Sequence, residues 1–405
     1  MTLAVACGST TGGSGGSGGS GTGGTSTGGT PAATGGTGGS GGSATGGSGT
    51  GGITAGTGGT PAATGGTAGH VAAGTGGGAG HAGGSTGAAG QPGSAGSAGV
   101  NPFNCKFAWG EPSPSGSPSS YGWLQFMSNW AGSSVQKDGS VTSCETCSWL
   151  GQLASTNIIP TYYAYIIGFY GHANGLPDGN QSSGPNLTTG GSALILGAAN
   201  AACPAGQICA QNKIVQAYAY YAKQSHTAWP TKPLVWLLEG DYVQYAASSQ
   251  SQPLTYAQLG QLAAQITSAI KTNMPNAVVA MDHSTWNSDD VTNSFWNAMK
   301  QANLDLVWTT GVGNANGFLS AGTTASSYNG KTCTYSYLHT LTGLKILVDE
   351  SAGLSQAADT WSNQTAATIN ARIAEGVIGI NVSGAPSNYQ SNVQTLSPAL
   401  SSTCP

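Results

Sequence analysis

The chain has 405 residues, carries a net charge of −4 at pH 7, and only 6% of its residues are charged. So weak a charge, with no basic patch, excludes nucleic acid or an anionic membrane surface as the main partner. No run of 18 apolar residues occurs, so no segment reads as a bilayer span.

In chain order, residues 1–7 come first. Small residues leading to Cys7, followed by a polar Gly-rich stretch, are similar to the end of a bacterial lipoprotein signal. The apolar part is shorter than such a signal needs, which a gene start lying upstream would explain. The expectation is a lipidated Cys7 on an exported protein at the outer cell surface. The alternative is a cytoplasmic chain with a chance cysteine. Residues 8–100 are almost wholly Gly, Ser, Thr and Ala, without a Lys, Arg, Asp or Glu. Such a segment has too little apolar surface to offset its ordering entropy and reads as a disordered linker. Its internal repeat, starting at Thr27 and again at Thr57, has no large apolar residue to stack and reads as low-complexity slippage.

Residues 101–405 hold all ten tryptophans and every charge, enough for one sizeable domain. Apolar runs predict strands near 105–110, 158–167, 233–239, 277–282, 305–310, 344–349 and 377–382. Between them, apolar residues at spacings of three and four predict helices over Tyr121–Trp130, Lys213–Gln224, Tyr256–Thr272, Ser294–Ala302 and Ala366–Glu375, the last stopped by Gly376. Strand alternating with helix implies a parallel sheet with right-handed crossovers. Seven or eight such units fit a closed (β/α) barrel, a distorted TIM-barrel type, better than an open doubly wound sheet. No Gly-rich nucleotide loop follows a strand, and nothing in the sequence calls for a cofactor.

Seven cysteines lie in the domain. Cys203 and Cys209 flank a turn-rich loop that a disulfide would close, and Cys105 and Cys404 lie at the domain's two ends. Cys144-Glu-Thr-Cys147 is a C-x-x-C that reads as redox or zinc chemistry, but no second such pair accompanies it, which counts against zinc. One thiol of the seven is left over.

Six of the fourteen acidic residues stand where an apolar run ends: Glu111, Glu239, Asp241, Asp282, Asp349 and Glu350. In parallel α/β folds ligands sit at the carboxyl ends of the strands. Cleavage of a glycosidic bond needs two carboxyl groups, one to protonate the leaving oxygen and one to activate water or attack carbon. Aromatic residues lie beside these acids: Trp109, Trp236, Trp286, Trp308, Trp361, Tyr163 and Tyr165. Sugar rings stack on aromatic faces, so such residues suit a glycan cleft, although Trp236 and Trp308, within strands, read better as core. Glu111 reads as a ligand of the same cleft. His283 either modulates a carboxylate or is a hydrogen-bonded structural histidine.

The order of motifs from about Pro160 to Trp361 resembles glycoside hydrolase family 6, the inverting cellulases. A strand ends Leu238-Glu239-Gly240-Asp241 where the family has E-P-D. A second ends Asp282-His283-Ser284-Thr285-Trp286 where the family has D-A-G-H and then a Trp. Thr310-Gly-Val-Gly-Asn314-Ala-Asn316 stands for T-N-V-x-N-Y-N, and Val348-Asp349-Glu350-Ser351 for the last strand-end Asp. The resemblance implies a polysaccharide hydrolase of the β-glucan type acting as a monomer, with Asp241 as general acid, Asp349 as the base or its holder, and Asn314, Asn316, His283 and Trp286 at the substrate. The family's D-x-D-C-A element is missing, with Asp178 the nearest stand-in. The Arg after the last strand and the closing K-P-G-G-E-x-D segment are missing too; Asn381-Val-Ser-Gly-Ala-Pro386 occupies the latter's place.

Two other readings use the same residues. Allowing one more strand between 111 and 158, Glu239 ends strand four and Glu350 ends strand seven, as acid/base and nucleophile of a retaining (β/α)8 glycosidase. Leu238 stands where such enzymes have Asn. The third reading is a barrel that binds glycan without cleaving it.

Overall fold

The computed structural model describes residues 101–112, 118–179, 184–199, 203–204, 207–284, 287, 289–310, 334–349, 361–382 and 385–404. The lipidation call at Cys7, the linker call at 8–100, and the calls at Trp286, Asn314, Asn316 and Glu350 lie outside the described residues.

Eight parallel strands close into a barrel in chain order: β1 (Ala108–Pro112), β2 (Phe126–Ala131), β3 (Ile159–Ala164), β4 (Leu234–Leu238), β5 (Ala277–His283), β6 (Leu306–Thr310), β7 (Lys345–Asp349) and β8 (Val377–Asn381), which pairs back onto β1. The helices are α1 (Cys147–Leu153), then α2 (Ile166–Ala173), α3 (Leu187–Gly197) and α4 (Lys213–Ala228) between β3 and β4. They continue with α5 (Tyr256–Asn273), α6 (Asp289–Met299), α7 (Tyr335–Thr342), α8 (Ala366–Ala374) and α9 (Tyr389–Leu396). This is a (β/α)8 architecture of the TIM type, and none of its described helices is long and apolar enough to cross a membrane.

Helix α5 shows how local sequence sets the outer ring. Thr255 and Gln258 form a capping box at its start, and Leu259, Leu262, Ala263, Ile266 and Ile270 recur at helical spacing on the buried face. Truncating a buried Leu or Ile of this kind to Ala costs about 2–5 kcal/mol. Gly376, at φ +100°, takes the left-handed conformation that ends α8, as its position predicts.

The structure has the strand β2 where the sequence pattern predicts a helix over Tyr121–Trp130, and it is the additional strand between 111 and 158 that the retaining reading allows for. Residues 121–130 carry apolar side chains at 123, 124, 126, 127 and 130, which fit a helical stripe. They also fit a strand buried on both faces, and pairing with β1 on one side and β3 on the other decides in favour of the strand. It fills the gap between 111 and 158, so that β4 leads into Glu239 and β7 ends at Asp349.

Two apolar layers follow from strand alternation. Ala108, Phe126, Tyr163, Val235, Leu237, Val278, Ala280, Leu306, Trp308, Leu347 and Ile378 fill the barrel interior, while Trp109, Met127, Tyr162, Trp236, Val279, Met281, Val307 and Ile380 pack outward against the helices. Disulfides join Cys105 to Cys404, Cys144 to Cys147 and Cys203 to Cys209. The C-x-x-C is therefore a closed disulfide, and Cys333 lies outside the described residues.

Candidate active site

Toward the carboxyl ends of the strands the barrel interior turns from apolar to polar. Asp282 of β5 continues the inward row of Val278 and Ala280 and pairs in register with Trp308, while Asp349 of β7 follows Leu347 and pairs with Asn381 of β8. Ser128 of β2 donates to Asn381 Oδ1 at 3.2 Å, and Asn381 Nδ2 donates to the hydroxyl of Tyr163. Asp282, Asp349, Ser128 and Asn381 are all buried.

The turn after β4 brings Asp241 to this group. Glu239 and Asp241 both have positive φ, +33° and +57°, with Gly240 between them. That left-handed run costs non-Gly residues of order 1–3 kcal/mol each. It directs the N–H of Asp241 onto Asp282 Oδ2 at 2.9 Å, and Ser284 Oγ donates to the same oxygen at 2.6 Å. Burial pushes the Asp282 carboxyl well above the ordinary carboxylate range, and the charges of Asp241 and Asp349 push the same way, against the pull of the two hydrogen bonds. Asp241 and Asp349 thus both act electrostatically on Asp282.

The carboxyl ends of β2 and β3 carry a group of aromatic residues. Trp130, at the end of β2, is 47% exposed, the one large hydrophobic residue exposed among those described. Its ring stacks on Tyr163, with centroids 5.0 Å apart and planes at 29°, and meets Tyr165 edge-on at 6.0 Å. Tyr163 in turn meets Trp308 edge-on at 6.2 Å, and the Trp308 indole donates to Leu238 O. Tyr165 lies over Gly168, where any side chain would strike its ring. The Tyr165 hydroxyl donates to Asp178 Oδ1 at 2.7 Å, and His172 Nε2 lies 3.1 Å from the same atom. Burial works to raise the Asp178 carboxyl, but the bonds from His172 and Tyr165 outweigh it and leave Asp178 below its usual range.

Several expected site residues face elsewhere. Glu239 is buried, and its positive φ breaks strand alternation. Its Oε1 accepts from Ile167 N at 2.7 Å and Tyr218 Oη at 2.5 Å, which places the carboxyl under the first turn of α2 and against α4. Burial pushes it up to about 8, opposed by those bonds. The acid/base of the retaining reading is therefore turned away from the interior. Trp109 packs outward on Phe107 and Tyr389 and is wholly buried, because Ala108 and Gly110 take the inward positions of β1. Trp361 is buried against Phe107 and Tyr335, so neither Trp109 nor Trp361 offers a face to a sugar. Glu111 shares the phase of Trp109 and pairs in register with the outward Met127; burial raises its carboxyl. His283 points outward, where Trp296 Nε1 of α6 donates to its Nδ1 at 3.3 Å, the structural alternative of the two expected for it. Trp236 and Trp308 are core, as read.

The structure brings together Asp241, Asp282, Asp349, Tyr163 and Tyr165 from the expected set, and adds Trp130, Ser128 and Asn381. Trp130 carried a usable signal: Phe126-Met-Ser-Asn-Trp130 read as a strand ends in an aromatic at the same level as the strand-end acids. Among the described residues no cluster of three or more His, Cys, Asp or Glu could hold a metal ion.

No family model matches the sequence, and no characterised protein matches it. Among solved structures, the chain is similar to a double mutant of an endo-β-1,4-mannanase from Cellulomonas fimi at 10% identity and a TM-score of 0.46, covering 74% of this chain and 72% of that one. It is similar to an endo-1,4-β-mannanase from Rhizomucor miehei at 10% identity and 0.45, over 73% and 94%. It is also similar to the endoglucanase Cel6 from Mycobacterium tuberculosis at 14% identity and 0.33, over 59% and 67%. At these values the likeness adds nothing to the barrel that the strand order already shows.

Proposed function

We propose that the barrel is a glycoside hydrolase acting on a β-glucan-type polysaccharide with inversion, with Asp241 as general acid. The observation that carries this reading is the hydrogen bond from Asp241 N–H to Asp282, at the same end of the barrel as an exposed Trp130 stacked on Tyr163. An inverting acid needs a proton at working pH and a neighbour that stabilises it in both charge states. Asp282, whose carboxyl burial raises and which accepts the Asp241 N–H, is suited to that part in place of the D-x-D-C-A element this chain lacks. Asp349, on the opposite side of Trp308, is the candidate base or the residue that positions the attacking water. Trp130, backed by the buried Tyr163, presents a flat apolar surface on which a sugar ring can stack, leaving its hydroxyls to Asn381 and the aspartates. The family-6 likeness, the polysaccharide substrate, monomeric action and the exported, lipid-anchored state belong to the same proposal; the three disulfides support export.

The test is a panel of soluble β-glucans and β-mannans, read by new reducing ends and by proton NMR of the first-formed anomer. Inversion on a β-glucan is the expected result. Net retention would sink the Asp241 mechanism, and binding without turnover on every glycan would leave a binding protein in its place.

A further inference from the structure

The proposed acid stands on a turn whose conformation has to be held by something, because two non-glycine residues in three adopt positive φ there. The group in contact with that turn from behind is the carboxyl of Glu239. Its Oε1 accepts one N–H from the first turn of α2 and one hydroxyl from Tyr218 in the middle of α4. The same Tyr218 hydroxyl lies 3.0 Å from Ala164 O, the last residue of β3, and Glu239 N donates to that carbonyl at 3.3 Å. Two helices therefore converge on the side chain, and β3 holds the backbone of the same residue. The N–H groups of Ile166 and Gly168, in the same first turn of α2, also favour the carboxylate.

We infer that Glu239 is a positioning residue for the acid: it locks the left-handed turn at the end of β4 so that the Asp241 N–H meets Asp282. The inference rests on the catalytic reading of Asp241 only for its meaning; the geometry it describes is independent of any substrate. Strand alternation would send the Glu239 side chain into the barrel, beside the inward Leu237. The positive φ sends it outward instead, and the two donors from α2 and α4 keep it there. Release of the carboxyl lets residue 239 return to the extended region, which carries Asp241 off Asp282. The ionisable groups around it are Tyr218 on α4, Tyr165 at the start of α2, and Tyr242 and Tyr245 on the 3-10 turn Tyr242–Ala246, with Asp178 and Asp241 acting on Tyr245.

The test uses the full chain without substrate. Amide exchange at Asp241 reports its bond to Asp282, and carbon-detected NMR titration reports the Asp282 carboxyl. In Glu239→Ala the Asp241 amide should exchange about tenfold faster than in the wild type, the loss of one hydrogen bond's net worth. The Asp282 carboxyl should move further up for want of its donor. Glu239→Gln, which keeps the acceptor oxygen, should restore both. If Glu239→Ala does not fold, Tyr218→Phe removes one of the two donors and should raise Asp241 exchange about threefold. Unchanged Asp241 exchange and Asp282 titration in whichever of these variants folds overturns the inference, whether or not the wild type proves to cleave glycans. Conversely, a wild type without turnover removes the hydrolase reading and leaves this result standing.

Discussion

The ring of Trp130 lies stacked on Tyr163 at a centroid distance of 5.0 Å, although the two residues belong to neighbouring strands and differ in burial, 47% against 6% exposed. Register puts them opposite each other at the carboxyl ends of β2 and β3. An indole held by a buried phenol and left half open to water is an ordered apolar surface that the fold does not need for its own core. Trp130→Ala should therefore weaken binding of a soluble β-glucan by roughly tenfold or more, the order expected from an aromatic contact together with its buried area. The melting temperature should stay within a degree or two of the wild type, about what a small change in stability at the surface produces. Affinity electrophoresis or calorimetry checks the first, and thermal denaturation the second. Loss of stability with unchanged glycan affinity would make Trp130 a structural residue.

Glu239 imposes a pH dependence on stability. Its folded-state carboxyl is pushed by burial up to about 8 from an ordinary value of 4.5. A group raised on folding binds its proton more tightly in the native state. Its contribution is complete below the ordinary value and is lost as pH rises through about 8. Asp282 acts in the same direction for the same cause. The wild type should accordingly lose melting temperature steadily between about pH 5 and pH 9. Glu239→Gln cannot ionise and should flatten that decline, so that the two curves lie close together near pH 5 and separate as pH rises toward about 8. Parallel curves would show that Glu239 does not hold its proton in the native state. Asp178 works oppositely: its carboxyl is lowered, so its contribution is lost as pH falls below the ordinary carboxylate range.

How much of this was legible beforehand depended on whether one local signal sufficed. Leu234–Leu238 and Ala277–Met281 read as strands because an unbroken apolar run is buried on both faces in a barrel. The Phe126–Ala131 segment fits either period, and only its two neighbouring strands decide it. The acids at strand ends pointed to the right face of the barrel, and Asp282 and Asp349 indeed occupy inward positions. Which face a strand-end residue takes depends on the phase of its strand, and small residues such as Ala108 and Gly110 do not declare that phase. Trp109 was assigned to the cleft on that account and packs behind it. Glu239 misled for a different reason: its direction is set by a φ of +33° and by Tyr218, twenty-one positions away, neither of which shows as a pattern along the chain.

The disulfide between Cys105 and Cys404 spans 299 positions and ties the segment before β1 to the segment after α9. Thr403 N donates to Cys105 O beside it, and Thr403 Oγ1 to Lys106 O. β1 and β8 also pair with each other, so the clasp sits where the barrel closes on itself. In the chain-entropy account a loop of this length gains most from a crosslink. Replacing both cysteines by serine should cost about 2–4 kcal/mol in chemical denaturation. The Cys203–Cys209 pair, separated by six positions, should cost less. Equal losses for the two pairs would place the effect in native-state packing instead of loop closure.

The final prediction concerns the aspartates themselves. Asp241→Asn keeps the shape of the side chain and removes the proton that an acid transfers. Turnover on unactivated glucan should fall roughly 10²–10⁴-fold, with glycan binding held by Trp130 and Tyr163 nearly unchanged. Asp282→Asn removes the neighbouring proton and charge but leaves an oxygen for the Asp241 N–H. If Asp282 serves by sustaining the protonation of Asp241, its loss should be felt on substrates with poor leaving groups. It should largely vanish on aryl glycosides, whose leaving oxygen departs without a proton. The two residues would then act as one unit, and such units are strongly non-additive. The double variant Asp241→Asn/Asp282→Asn should be little slower than Asp241→Asn alone. A double variant slower by the product of the two single effects would mean two independent tasks, and Asp282 would have to be placed on the substrate in its own right. Near-normal turnover in Asp241→Asn would remove that residue as the acid and leave Asp282, hydrogen-bonded to the same turn and raised by burial, as the group to test next.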